Sequence, residues 1–146
     1  MKKLLLAVAI LGCSSVLFAQ NAVKKAEDVI KFKEVKYNFG KIKQGVPVTH
    51  EFEFTNDGDA PLVIENATAS CGCTTPKWPD QPVMKGKNNK ITAGFNAAAQ
   101  GIFDKSIFVK VKGYDYPVEI KISGEVLTPE AYAKFESDKK AKTGSK

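Results

Sequence analysis

Two cysteines separated by one glycine, in the run Ser70-Cys71-Gly72-Cys73-Thr74-Thr75-Pro76 with Trp78 close behind, are the side chains of this sequence best equipped for chemistry. Two thiols at that spacing make a disulfide, a soft-metal clip or two small residues packed in a core, and spacing alone does not choose. As a disulfide the pair is tight. Residues i and i+2 of a strand share a face with Cα atoms roughly 6.5 to 7 Å apart, at the upper end of what a disulfide spans, unless Gly72 bends the chain. The closed loop is so short that the bond constrains the unfolded chain little, which suits an exchange-active pair better than a staple. No thioredoxin-like βαβ pattern accompanies it.

As a metal site, Cys71 and Cys73 with the lone His50 would make a soft three-ligand set for copper(I) or zinc, since His50 shares a strand face with Phe52 and Phe54. A single histidine in an alternating strand is more often a partly buried or edge residue than a ligand, and no cofactor is expected. As a packing unit, the cysteines are small apolar residues at a strand end, with Thr74, Thr75 and Pro76 stopping the strand. Trp78 either anchors the loop or offers a platform to a sugar or peptide. Asp57 and Asp59 sit in an Asn-Asp-Gly-Asp turn and offer at most a weak calcium contact. Asn66-Ala67-Thr68 matches a glycosylation sequon that carries no meaning behind a bacterial leader. There is no Gly-x-Ser-x-Gly elbow, phosphate-cradling glycine loop or His-Glu-x-x-His, so no catalytic residues are assigned and an enzyme is not expected.

The elements that must hold these side chains follow a leader. Met1-Lys2-Lys3, the apolar run from Leu4 to Phe18 and then Ala19-Gln20 have the order of a bacterial export signal, assigned to residues 1–20. The run is too short to span a membrane, which takes about 20 apolar residues, and no later segment comes near. Ile10-Leu11-Gly12-Cys13 loosely resembles a lipobox, so a lipid anchor at Cys13 is the second reading, against which the bulky Leu11 and the apolar Val16-Leu17-Phe18 weigh. The expected location is the periplasm or outer envelope of a Gram-negative bacterium. Without Lys2 and Lys3 the balance is 20 lysines minus 16 acids, +4, and there is no arginine, so a nucleic-acid partner is not expected.

After a polar segment at 21–28, the period is two. Val48, His50, Phe52 and Phe54 alternate with Thr49, Glu51, Glu53 and Thr55; Ile107, Val109 and Val111 alternate with polar neighbours and Phe108; Val118, Ile120 and Ile122 do the same. Shorter strands are expected at Ile30 to Lys33, Val35 to Phe39, Leu62 to Glu65 and Ile91 to Asn96, parted by Gly40, Gly45, Asn56-Asp57-Gly58-Asp59, Lys85 to Asn89 and Gly113. About seven strands at this spacing argue for an antiparallel immunoglobulin-like β-sandwich at 29–127, with a small barrel as the runner-up. The lysine-rich tail at 128–146 opens on Thr128-Pro129-Glu130, an N-cap before a proline at the first helical position. It predicts a short helix to about Lys140, with Ala131, Tyr132 and Phe135 as its apolar face.

Phe39-Gly40-Lys41-Ile42-Lys43-Gln44-Gly45, Phe52-Glu53-Phe54-Thr55-Asn56-Asp57-Gly58, Pro61-Leu62-Val63-Ile64, the cysteine run and Gly101-Ile102-Phe103-Asp104-Lys105 fall in order. With them the chain resembles the domain of unknown function 1573 family of secreted bacterial proteins, common in Bacteroidetes, over about residues 32 to 126. The resemblance implies an immunoglobulin-like sandwich, similar to domains of ciliary and major sperm protein-like scaffolds, and an envelope location. It implies no activity. Lys85-Gly86 stands where the family usually has Pro-Gly, and Lys112-Gly113 where an asparagine is usual, both at turns. The functional expectation is a non-enzymatic envelope module that binds an envelope protein or surface polymer through loops or an exposed strand edge. The alternative is a thiol-redox or soft-metal protein built on Cys71, Gly72 and Cys73.

Overall fold

Strand β3 (Val48–Asn56) carries the alternation into space: Phe52, Phe54 and Asn56 are buried while Glu51 and Glu53 face solvent. Burying a phenylalanine contributes about 2 kcal/mol, so each two-residue step of such a strand holds its sheet to the layer opposite. A computed structural model describes residues 24–143. The leader at 1–20 and Cys13 lie outside the described residues. So do residues 21–23 of the polar segment and 144–146 of the tail.

Eight strands form two four-stranded sheets among the described residues. β1 (Ile30–Phe32), β3, β6 (Asn88–Phe95) and β5 (Thr74–Lys77) make one, in the order β1-β3-β6-β5. β2 (Lys36–Lys43), β8 (Val118–Leu127), β7 (Gly101–Val111) and β4 (Ile64–Ala69) make the other, in the order β2-β8-β7-β4. Between them lie Phe52, Phe54, Ile91, Phe95, Phe103, Ile107, Val109, Ile120 and Ile122, all at most 5% exposed. Phe95 and Phe103 stack across the layers, ring centroids 4.1 Å apart.

The sandwich differs from the expected one in three ways. β2 pairs with β8 in parallel: residues 33–35 carry the chain from one sheet to the other, so no hairpin imposes an antiparallel partner. The eighth strand is β5, made of the residues expected to stop a strand; it pairs with β6 from Thr74↔Phe95 to Lys77↔Thr92. Pro76 is tolerated because β5 lies at a sheet edge. β4 starts at Ile64 and runs through the Asn66-Ala67-Thr68 triplet, while Leu62 makes a separate bridge with Val83.

The ends of the described chain dock onto the sandwich. Lys25 bridges Tyr116 and Ala26 is fully buried, so part of the 21–28 segment belongs to the packed unit. α1 (Pro129–Thr143) begins where expected: the Ala131 N–H donates to the Thr128 hydroxyl at 3.2 Å, and the Tyr132 N–H to the Thr128 carbonyl at 2.8 Å. Tyr132 and Phe135 are half-buried and Ala131 is exposed. Lys41 Nζ lies 5.3 Å from the centre of the Phe135 ring, a cation–π contact that ties the helix to β2.

Candidate functional site

The turn from β4 to β5 crosses from one sheet to the other and holds Cys71 and Cys73 in a disulfide, Cα atoms 5.3 Å apart. That is shorter than the i to i+2 distance of a strand because residues 70–73 leave the extended conformation. Gly72 sits exposed at the tip; its φ is not left-handed, and a Cβ there would meet nothing within 4 Å. The bend therefore does not depend on glycine's conformational freedom. Both cysteines are half-buried, and Cys73 packs against the core. The hydroxyl of Thr74, a residue only 4% exposed, lies 3.6 Å from Cys71 Sγ and 4.0 Å from Cys73 Sγ. The Asn96 N–H donates to the Cys73 carbonyl at 3.1 Å. Beside Cys73 opens a cavity of about 190 Å³, lined also by Phe95, Phe103 and Lys105.

His50 does not join the cysteines. It lies on β3, level with Ala93 of β6 and Pro76 of β5, two strand spacings, or about 10 Å, from β5. Its ring stacks on Tyr37 of β2 at 3.5 Å between centroids and meets Phe52 edge-on at 4.9 Å, while Nε2 contacts Glu34 Oε1 at 2.8 Å. Among the described residues no three His, Cys, Asp or Glu side chains converge as a metal set, so the proposed Cys71, Cys73 and His50 ligand trio is not assembled. The histidine instead bridges the sheets as an aromatic. Trp78 is half-buried and packs against the core.

The Asn-Asp-Gly-Asp turn does more than reverse the chain. Asn56 is fully buried; its Nδ2 donates to the Ala60 carbonyl at 2.9 Å and the Val83 carbonyl at 2.7 Å, and its Oδ1 accepts the Gly58 N–H at 3.0 Å. Asp59 pairs with Lys85 at 2.6 Å, which holds its carboxyl below the usual range and the lysine above its own. Asp59 is thus already matched by a cation of the chain itself.

The sheet edges were legible only as a class. On β2 the Lys121 N–H donates to the Val35 carbonyl at 2.8 Å, and the Gln44 N–H to the Leu127 carbonyl at 2.9 Å. In a parallel ladder alternate residues turn their amide groups to the neighbour. Tyr37 and Ile42 therefore face β8, while Lys36, Asn38, Lys41 and Lys43 turn theirs to the open side. All four are exposed. The Lys43 carbonyl accepts the Val46 N–H, and Asn38 Oδ1 accepts the Gly40 N–H beside a register shift between Asn38 and Lys41. Lys41 approaches Glu125 at 3.8 Å, and no contact ion pair joins Lys36 or Lys43 among the described residues. Nearby, the Ser106 hydroxyl, then Lys121 and Lys36, hold Glu119 low; the helix-start N–H of Glu130 itself, the Thr128 hydroxyl and Lys43 hold Glu130 low.

The fold recurs in solved structures. A protein of unknown function from Porphyromonas gingivalis W83 is similar at a TM-score of 0.59 and 15% identity, over 67% of this chain and 46% of that one. The ASH/PapD-like domain 7 of human CEP192 is similar at 0.57 and 11% identity, over 80% and 98%. The VesB protease of Vibrio cholerae is similar at 0.53 and 14% identity, over 68% and 32%. This chain thus spans less than half of the Porphyromonas protein and about a third of the protease; at such identities the likeness is one of fold. No curated protein sequence matches the chain. Residues 30–126, from the first residue of β1 to the penultimate residue of β8, match the family model of the DUF1573 proteins of unknown function, and the chain belongs to that family.

Proposed function

We propose that this protein is an exported, non-enzymatic module of the cell envelope that binds an extended, acidic segment of a partner protein along the open edge of β2. One observation carries the reading: the free amide groups of Lys36, Asn38 and Lys41 stand in a row with lysines on either side. Added strands gain main-chain hydrogen bonds from such an edge, and side-chain charge sets which strand is accepted. The same lysines repel a second copy of the edge, so they guard against self-association while admitting an acidic strand. The basic and apolar leader supports export, and the fold supports a role in presenting surfaces.

The test is binding of a short acidic peptide of strand-forming sequence to the exported form, with a basic peptide of the same pattern as control. Binding of the acidic peptide that weakens as salt rises, and fails for the basic one, supports the reading. Equal binding of both, or of neither, contradicts it. An acidic polysaccharide that binds without protecting β2 amides would identify a charge patch rather than a strand acceptor.

A further inference from the structure

The disulfide is a poor staple in a place built for sulfur chemistry. A three-residue loop removes little freedom from the unfolded chain. The Thr74 hydroxyl, buried and pointed at both sulfurs, has those two weak acceptors as its partners among the described residues. Lys105 sits on the inward register of β7, between Phe103 and Ile107, where a lysine is out of pattern; it lines the cavity beside Cys73 and makes no contact ion pair among the described residues. Gly72 leaves the outer flank of the bond without a side chain. A hydroxyl donor and an ammonium are the groups that stabilise a thiolate.

We propose that Cys71–Cys73 is a thiol-exchange site, reduced and reoxidised by an external thiol while the domain stays folded. The incoming thiolate attacks Cys71 Sγ, the sulfur not packed against the core. A bond forms between the external sulfur and Cys71, the Cys71–Cys73 bond breaks, and its electron pair leaves on Cys73. There the Thr74 hydroxyl donates to the new thiolate, and Lys105 offsets its charge. A second external thiolate then attacks the first external sulfur and releases Cys71. Two external thiols become one disulfide, the protein gains two electrons, and the two protons end on Cys71 and Cys73. The reverse sequence oxidises an external dithiol. The site is independent of the β2 edge, and either proposal stands if the other fails.

The experiment incubates the exported form with reduced glutathione or, separately, with a Cys-x-x-Cys dithiol peptide, quenches in acid, and reads intact mass. Circular dichroism is recorded in parallel. The expected result is a glutathione adduct with the monothiol, full reduction with the dithiol, and an unchanged spectrum. Thr74→Val removes one hydrogen bond to a charged group and slows opening about tenfold; Thr74→Ser, which keeps the hydroxyl, retains most of the rate and separates chemistry from packing. Lys105→Met lowers the thiolate absorbance of the reduced protein at neutral pH. A bond that opens only in denaturant overturns the proposal, as does wild-type exchange in both Thr74→Val and Lys105→Met.

Discussion

The two edges of the second sheet are finished in opposite ways. β4 is tied down at its start by the chain's own crossings, where Leu62 and Val83 exchange both backbone hydrogen bonds, at 2.9 and 2.8 Å, and Asn56 ties Ala60 to Val83; at its end Ser70 extends the ladder to β7, bonding Ser106 through backbone and hydroxyl. Ala67, in the middle of this edge strand, is only 6% exposed. β2 has no such cover along Lys36 and Asn38, and carries lysines instead. An edge whose entry is tied to the rest of the chain is held in place there, while one lined by lysines offers charge to an added strand. This contrast assigns stability to the β4 side and binding to the β2 side.

The contrast breaks first at Asn56. Asn56→Ala leaves the Ala60 carbonyl and the Gly58 N–H without their partner and the Val83 carbonyl with the Leu62 N–H alone, and costs about 3 kcal/mol, read as a lower urea midpoint; Asn38→Ala on the open edge changes stability by less than about 0.5 kcal/mol. A near-equal loss at both would erase the distinction. Next, Lys36→Glu/Lys43→Glu reduces acidic-peptide binding more than about tenfold, because like charge then faces the ligand, and leaves the urea midpoint in place. Titration calorimetry and denaturation together check it. Third, Cys71→Ala/Cys73→Ala, at the exit of β4, costs at most about 1.5 kcal/mol, roughly half of what a 15-residue disulfide loop is worth.

The smallest effect is with acid. Glu53 beside Lys33, Asp59 beside Lys85, and Glu119 and Glu130 with their hydrogen-bond donors all titrate below their unfolded values of 4.5 for glutamate and 3.8 for aspartate. A carboxyl depressed on folding stabilises the protein above its unfolded pKa and loses that contribution as pH falls through the folded one. The contribution of these four carboxyls is therefore flat from neutral down to about pH 4.5 and declines below it, shallowly, since they are exposed and screened. Lys85→Met flattens the Asp59 part of the decline. Acid denaturation midpoints of the two proteins measure it.

Strands with a clean period of two were legible because alternation reports a half-buried sheet directly, as at Val48 to Thr55 and Val118 to Ser123. Parallel against antiparallel pairing was not, because both impose the same period, and β2 runs parallel to β8 only through the path of residues 33–35. β5 was masked by its own composition: a Thr-Thr-Pro run reads as a stop unless the strand lies at an edge. The cysteine turn was visible as a candidate, but its surroundings were not, since Thr74 is buried by tertiary packing and Lys105 arrives from β7. A signal for Lys105 did exist. Counting back by twos from Val111, Val109 and Ile107 lands on Lys105 before Phe103, a lysine in an inward phase. Asn56 gave the same sign, since counting on from Phe52 and Phe54 lands on it in the inward phase, but Asn-Asp-Gly also reads as a solvated turn.

The most direct test of the β2 assignment is amide hydrogen exchange, residue by residue, on the folded protein with and without the acidic peptide. Free, the amides of Lys36, Asn38, Lys41 and Lys43 should exchange fast while those of Tyr37 and Ile42, bonded to β8, exchange slowly; bound, protection should appear at Lys36, Asn38 and Lys41 and nowhere along β4. Peptide binding that leaves the β2 amides fast, or protects β4 instead, would contradict the account.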